Sequence, residues 1–375
     1  MDMLSEINMT LQNPYLYAEK WKESRRGSVI GYFCSYTPEE IIHAAGALPM
    51  RILGTRESIS MADSHLQSYC CSLVRGGLED AMRGSLRFLD GSVFPHTCDS
   101  IQRLSDIWRL NGKISHHFDL VLPVKLNTQS SMEYFTQVYQ KFKNELAAAL
   151  QVNITDEKLG ESIRLYNDIR SMFMKLYQMR SSNPDLVSGN ELHAIIMGSM
   201  IHDRLEFRNL LNGYLARLLE KKDSSPSKRK RIMLTGGICT HPDIYSCIEE
   251  SGGVVAWDDL CTGRRFFEGQ TELGEDLIQS IADRYIERIN CPAKHSSPRR
   301  RGEEILRSVD EQRIDGVIFL ILKFCDPHSF DYPYIKSMLD SRGVPTLLLE
   351  IEEKLPPEGQ LRTRIETFIQ VIEGG

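Results

Sequence analysis

The chain has 375 residues, 41% of them hydrophobic and 26% charged, with nine cysteines and a formal net charge of −6. That length exceeds one compact core and implies two or three domains, and the mild acidity argues against a nucleic-acid-binding surface over the whole chain. No apolar run approaches the ~18 residues of a membrane span and no basic region precedes an apolar one at the N-terminus, so a soluble cytoplasmic protein without a disulfide framework is expected.

In chain order, residues 1–26 read as a polar helical arm carrying Tyr15, Tyr17 and Trp21. The β-branched and aromatic content of 28–34 predicts a first strand. Thr37-Pro38-Glu39-Glu40 follows as a helix start, with Thr37 as N-cap and acids in the first turn. Strands are predicted over 47–53, 92–95 and 119–126, and helices over 66–89 and 100–110. Strands alternating with helices at this spacing mean a parallel sheet.

From about 130 the pattern turns purely helical, with apolar residues at helical spacing over 133–150, 156–179 and 191–219. Lys-Lys-Asp-Ser-Ser-Pro-Ser-Lys-Arg-Lys-Arg (221–231) is a polar linker, and its basic tail reads as a solvated run. Strands are then predicted over 231–235, 253–257, 316–322 and 345–351. Helices are predicted over 242–251, 274–288, 302–311, 334–341 and 358–373. The fold class is α/β, with two Rossmann-like lobes bearing parallel sheets. The expected organisation is an arm over 1–26, a first lobe over 27–129, a helical segment and linker over 130–230, and a second lobe over 231–375.

Two of these strands end in a thiol followed by an acid: Phe-Pro-His-Thr-Cys98-Asp and Leu-Lys-Phe-Cys325-Asp. The crevice beyond the carboxyl ends of parallel strands is where open α/β sheets bind ligands. A cleft between the lobes would bring these two thiols face to face. Cys71, in Tyr-Cys-Cys-Ser (69–72), lies near a helix opening, where the N-terminal dipole favours a thiolate. Cys34, Cys261 and Cys291 lie in further loops, whereas Cys247 falls at core spacing in a helix. Zinc is a competitor for such thiols, but structural zinc favours local Cys pairs and four ligands. Three isolated thiolates suit an iron–sulfur cluster with one open iron, and six could hold two. Gly236-Gly237, ending a strand, reads as a tight turn and lacks a full phosphate-binding fingerprint. No ATP site is recognisable. His96, Glu350 and the tyrosines are the acid–base candidates, and Arg264, Arg265, Arg362 and Arg364 are candidate contacts for anionic phosphates.

Taken together, Tyr-Thr-Pro-Glu-Glu-Ile-Ile-His-Ala-Ala-Gly (36–46), Cys-Ser (71–72), Thr-Cys-Asp-Ser (97–100), Lys-Phe-Cys-Asp-Pro (323–327), Asp-Tyr-Pro (331–333) and Arg-Thr-Arg-Ile-Glu-Thr-Phe (362–368) make the chain resemble the 2-hydroxyacyl-CoA dehydratase and benzoyl-CoA reductase family over nearly its whole length. The resemblance implies a [4Fe-4S] cluster on Cys71, Cys98 and Cys325 between two α/β lobes. It further implies an acyl-CoA substrate and a separate ATP-hydrolysing iron–sulfur activator protein that supplies a very low-potential electron. It implies either a related paralogous subunit, of which this chain looks like the shorter partner, or a homodimer. Cys34, Cys261 and Cys291 are similar to positions occupied in the branch that binds a double cubane, which leaves dehydration, reduction and simple electron relay as alternatives.

Overall fold

The structure, a computed structural model, describes residues 2–55, 57–220, 228–288, 291–294, 298–352 and 354–374; most of the predicted 221–231 linker lies outside them. The arm is two helices, α1 (Met3–Gln12) and α2 (Pro14–Arg25), with Asn13 between them accepting a hydrogen bond from the Leu16 amide. Then follow β1 (Val29–Tyr32), α3 (Glu39–Ala44), β2 (Leu48–Arg51), α4 (Ser72–Arg83), β3 (Gly91–Pro95), α5 (Asp99–Asn111) and β4 (His116–Leu120). The helical middle comprises α6 (Gln129–Leu150), α7 (Asp156–Ser182), α8 (Gly189–Ser199) and α9 (Arg204–Glu220). The remainder runs β5 (Lys230–Gly236), α10 (Asp243–Glu250), β6 (Gly253–Asp259), α11 (Arg264–Phe267), α12 (Leu277–Glu287), α13 (Pro298–Glu311), β7 (Gly316–Leu322), α14 (Asp326–Asp340), β8 (Thr346–Ile351) and α15 (Glu358–Gly374).

The residues form two units. The first comprises 1–170, 198–210 and 269–296, and the second 171–197, 211–268 and 297–375. Each holds a four-stranded, fully parallel sheet, ordered β2-β1-β3-β4 in the first and β6-β5-β7-β8 in the second. In both, the chain steps from the inner strand to one neighbour and then returns to its other side. The reversal falls between β1 and β3, and between β5 and β7, and their carboxyl ends frame the crevice where such sheets take ligands.

The core of the first unit joins Ile30, Val93, Phe118 and Leu120 of the sheet to Phe135, Tyr139 and Phe142 of α6 and Ile281 and Tyr285 of α12. In the second unit β7, Gly-Val-Ile-Phe-Leu-Ile-Leu, is buried along its whole length, as a strand covered on both faces must be.

Several local expectations need correction. The strand expected over 119–126 stops at Leu120, because its partner β3 ends opposite it at Pro95 and Pro123 has no amide to extend the ladder. The helix expected over 191–219 breaks into α8 and α9, where the Asp203 carboxylate caps the amides of Leu205 and Glu206. The helix expected from 66 begins at Ser72, and the one expected from 334 begins at Asp326. Pro327 stands in the first turn of α14, where no amide is missed, and Pro333 is carried inside it. The last two corrections put Cys71 and Cys325 at helix N-caps. At the first expected helix start, Pro38 rather than Thr37 is the N-cap, without a side-chain cap bond.

Candidate metal centre

In the first unit, Cys98 is the N-cap of α5 at the carboxyl end of β3, and Cys71 is the N-cap of α4. Cys34 follows β1 by two residues, and Cys291 follows α12; both are half-buried and pack against the core. The Thr97 hydroxyl donates to Cys34 Sγ at 3.6 Å, which ties the loop after β3 to the loop after β1. The Cys98 thiol lies within electrostatic reach of Cys71, Cys34 and Cys291.

Burial pushes the Cys98 thiol up to about 12; the charge of Cys71 adds to this, the Ile101 amide opposes it, and Cys34 and Cys291 raise it further. Burial likewise lifts Cys71 to about 11 although the amides of Val74 and Leu73 pull it down. The helix N-terminus therefore acts on Cys71 in the expected sense, but desolvation outweighs it. Left to themselves these thiols keep their protons; a thiophilic cation binding there displaces them.

Beside them lies Lys294, 1% exposed. Its Nζ donates to Leu122 O at 2.9 Å and His96 O at 3.3 Å, and its own amide donates to Cys291 O at 2.8 Å. Burial lowers its pKa to about 8 against the opposing pull of Cys34, Cys291 and Cys98. Arg288, also buried, stacks 4.3 Å over the ring of Tyr36 and 4.6 Å over that of Tyr285. Nothing in the sequence reading points to Lys294, although Cys-Pro-Ala-Lys (291–294) places thiol and ammonium on one turn.

His96 is bonded through Nε2 to Asp119 Oδ1 at 2.8 Å. Asp119 also accepts from Ser105 and, at 3.3 Å, faces His117. Burial would raise that carboxyl, but its hydrogen bonds to His117, His96 and Ser105 hold it well below the usual range. Glu350, on β8 in the second unit, is exposed.

Cys325, in the second unit, is the N-cap of α14, and the preceding Phe324 has φ +66°. An aromatic residue in the left-handed region is strained, and such strain concentrates at functional sites. Cys261 follows β6; its amide donates to Gly237 O at 2.9 Å, and Arg265 Nη1 donates to its Sγ at 3.2 Å. The Arg265 guanidinium is fully buried and also reaches Asp259 Oδ1 (2.9 Å) and Gly236 O (3.0 Å). This commits it to the interior and removes it from the phosphate-binding candidates. Arg301 closes the network, bonding Asp259 at 2.9 Å and Asp331 at 2.7 Å. Arg362 is paired with Glu250 and Glu358, Arg364 donates to Leu348 O, and Arg264 pairs with Glu268 and lies over Trp257. At the Gly236-Gly237 turn, a Cβ on Gly236 (φ +145°) would meet Leu320 O at 1.9 Å, so close strand approach explains the glycine. Cys247 is buried within α10, as core packing predicts.

Among the described residues, no three His, Cys, Asp or Glu side chains are grouped as a ready metal site. The donor chemistry nevertheless fits an iron–sulfur group: soft thiols, several to a unit, at the sheet's ligand-binding edge and beside a buried cation. Among the same residues, no helix is long and apolar enough to cross a membrane.

A sequence profile of the family described as 2-hydroxyglutaryl-CoA dehydratase, D-component, matches residues 34–372. The chain is 28% identical over 365 residues to one of the subunits of benzoyl-CoA reductase from Thauera aromatica, spanning 95% of this chain and 94% of that one. It is 25% identical over 362 residues to the (R)-phenyllactyl-CoA dehydratase beta subunit of Clostridium sporogenes, spanning 96% of each. It is 22% identical over 378 residues to the beta subunit of (R)-2-hydroxyglutaryl-CoA dehydratase from Acidaminococcus fermentans, spanning 99% of each.

Proposed function

The chain belongs to the 2-hydroxyglutaryl-CoA dehydratase D-component family, and from that premise we propose that it is the iron–sulfur-bearing subunit of an acyl-CoA dehydratase or of a related low-potential reductase. Cys71, Cys98 and Cys325 would hold one [4Fe-4S] cluster. When bound, the cluster would supply one-electron chemistry and a Lewis-acidic iron.

The observation that supports this best is the placement of Cys98: at the carboxyl end of an inner strand, at a helix N-cap, with three other thiols of its unit in electrostatic reach. The protein's part is to gather these thiols and exclude water from them, and the burial of Cys71 and the partial burial of Cys98 serve both ends. His96, its imidazole anchored on Asp119, is positioned to hold a proton at Nε2. Glu350, exposed on β8, is the second acid–base candidate. The electron would come from a separate ATP-hydrolysing activator, and a paralogous subunit or a second copy would complete the enzyme, in keeping with the relatives being named as subunits.

A second reading, two bridged cubanes and a reductase activity, is favoured by the grouping of Cys34 and Cys291 with Cys98, and by the guanidinium bonded to Cys261. Iron and acid-labile sulfide per chain after anaerobic purification test both. About 4 Fe supports one cubane and about 8 the double cubane; no iron with stoichiometric zinc overturns the redox function.

A further inference from the structure

Lys294 is the least expected group beside the thiols. A lysine ammonium has three N–H donors and a full charge, and it is rarely buried unless a counter-charge accompanies it. Here two donors go to backbone carbonyls, Leu122 O and His96 O. Among the described residues no carboxylate forms an ion pair with it. Both carbonyls belong to loops at the carboxyl end of the sheet, the first after β4 and the second two residues before Cys98. The Lys294 amide closes the turn onto Cys291 O, so the chain that delivers the Cys291 thiol delivers the ammonium with it. Thr97, between His96 and Cys98, reaches Cys34 Sγ. The ammonium is thus anchored to the segments that carry Cys98 and Cys291 and to the loop after β4, and Cys34, Cys291 and Cys98 are the acidic groups that act on it.

We propose that Lys294 is a positioning residue: a built-in counter-ion that favours the more negative, reduced state of the iron–sulfur group that Cys98, on the segment it is anchored to, would help to hold. This rests on the cluster assignment above and adds to it a named determinant of reduction potential. An iron–sulfur group gains one negative charge on reduction. A fixed positive charge in a dry, low-dielectric surround lowers the energy of that state, so the midpoint potential lies higher than the thiol ligands alone would set it. A lysine kept only to clip two loops together would have no such effect.

The test is a redox titration of the anaerobically purified, iron-loaded protein, followed by electron paramagnetic resonance. Iron and sulfide content are measured on the same samples. Lys294→Arg is expected to keep both iron and midpoint potential, whereas Lys294→Met and Lys294→Gln keep iron but shift the midpoint to more negative values. An unchanged midpoint in an iron-loaded Lys294→Met protein overturns the proposal and leaves the cluster assignment standing. If Met and Gln lose iron while Arg retains it, the charge requirement is upheld through retention; if all three lose it, side-chain packing and not charge is responsible, and the proposal falls. A wild-type protein without iron brings down the cluster assignment itself, before any variant is made.

Discussion

The two units share one strand order and one point of reversal, yet they furnish it with opposite chemistry. At the edge of β1 and β3, the first unit carries Cys34, Cys98 and Cys291 within electrostatic reach of a buried lysine, with Cys71 in reach of Cys98. At the edge of β5, β6 and β7, the second assembles Arg265, Asp259, Arg301 and Asp331, two cations against two carboxylates. Burial would raise Asp259, but Arg265 and Arg301 hold it well below the usual carboxylate range. Burial keeps His328 beside them neutral, and both arginines reinforce this. The second network balances its own charges, two against two. The first differs: desolvation holds the Cys71 and Cys98 thiols protonated, and the ammonium near them has no carboxylate paired with it among the described residues. Topology chooses where a site can form, and the side chains at that edge decide whether it is a rigid support or a place for an inorganic group.

Removing a thiol from the first unit should have the largest effect on that contrast. Cys98→Ser is expected to abolish iron retention while leaving the circular dichroism spectrum intact, and Cys247→Ser, in the packed α10, should retain iron at the wild-type level. Equal retention in both would dissolve the distinction drawn between cluster thiols and core thiols.

The second unit breaks differently. Asp259→Asn leaves two buried guanidinium groups facing a weakened acceptor and should cost about 3–5 kcal/mol in denaturant unfolding, the usual penalty for taking one partner from a buried ionic network. A loss below ~1 kcal/mol would mean that water or rearrangement satisfies the arginines and that the network is not a rigid support.

A smaller effect sharpens the comparison through pH. In the first unit, Asp80 accepts from Tyr15 Oη at 2.6 Å, and burial raises its pKa to about 6 despite that bond. A carboxyl raised on folding stabilises the folded state below its unfolded pKa, and that contribution is lost as pH rises through the folded value. Over the whole range from below pH 4 to above pH 6, stability should therefore fall by about 3 kcal/mol on account of this group, roughly two units at 1.36 kcal/mol each. Asp80→Asn should flatten that part of the profile; an unaltered pH profile would rule the assignment out.

Much of this was legible in local sequence. Strand–helix alternation announces parallel sheets, and β7 reads as a doubly covered strand from its unbroken apolar run. Thiols placed just beyond apolar strands point to the ligand edge whatever the rest of the chain does. What eluded local reading has a common cause. The helix read from 334 begins in the fold at Asp326, eight residues earlier, with Pro327 in its first turn and Pro333 inside it. The Arg265 tandem looked like a surface phosphate contact because its partners, Asp259 and Gly236 O, are met only after folding.

By itself, then, the sequence determined the α/β class, the parallel sheets and the candidate thiols, because each rests on periodicity or on a strand end that neighbouring residues dictate. Only the tertiary structure decided the strand order and its reversal points, the grouping of Cys34 with Cys98, and the burial of Lys294 and Arg265. Those depend on residues tens to hundreds of positions apart, brought together by packing that leaves no periodic trace in the chain, and on desolvation, which exists only once a charge has been buried.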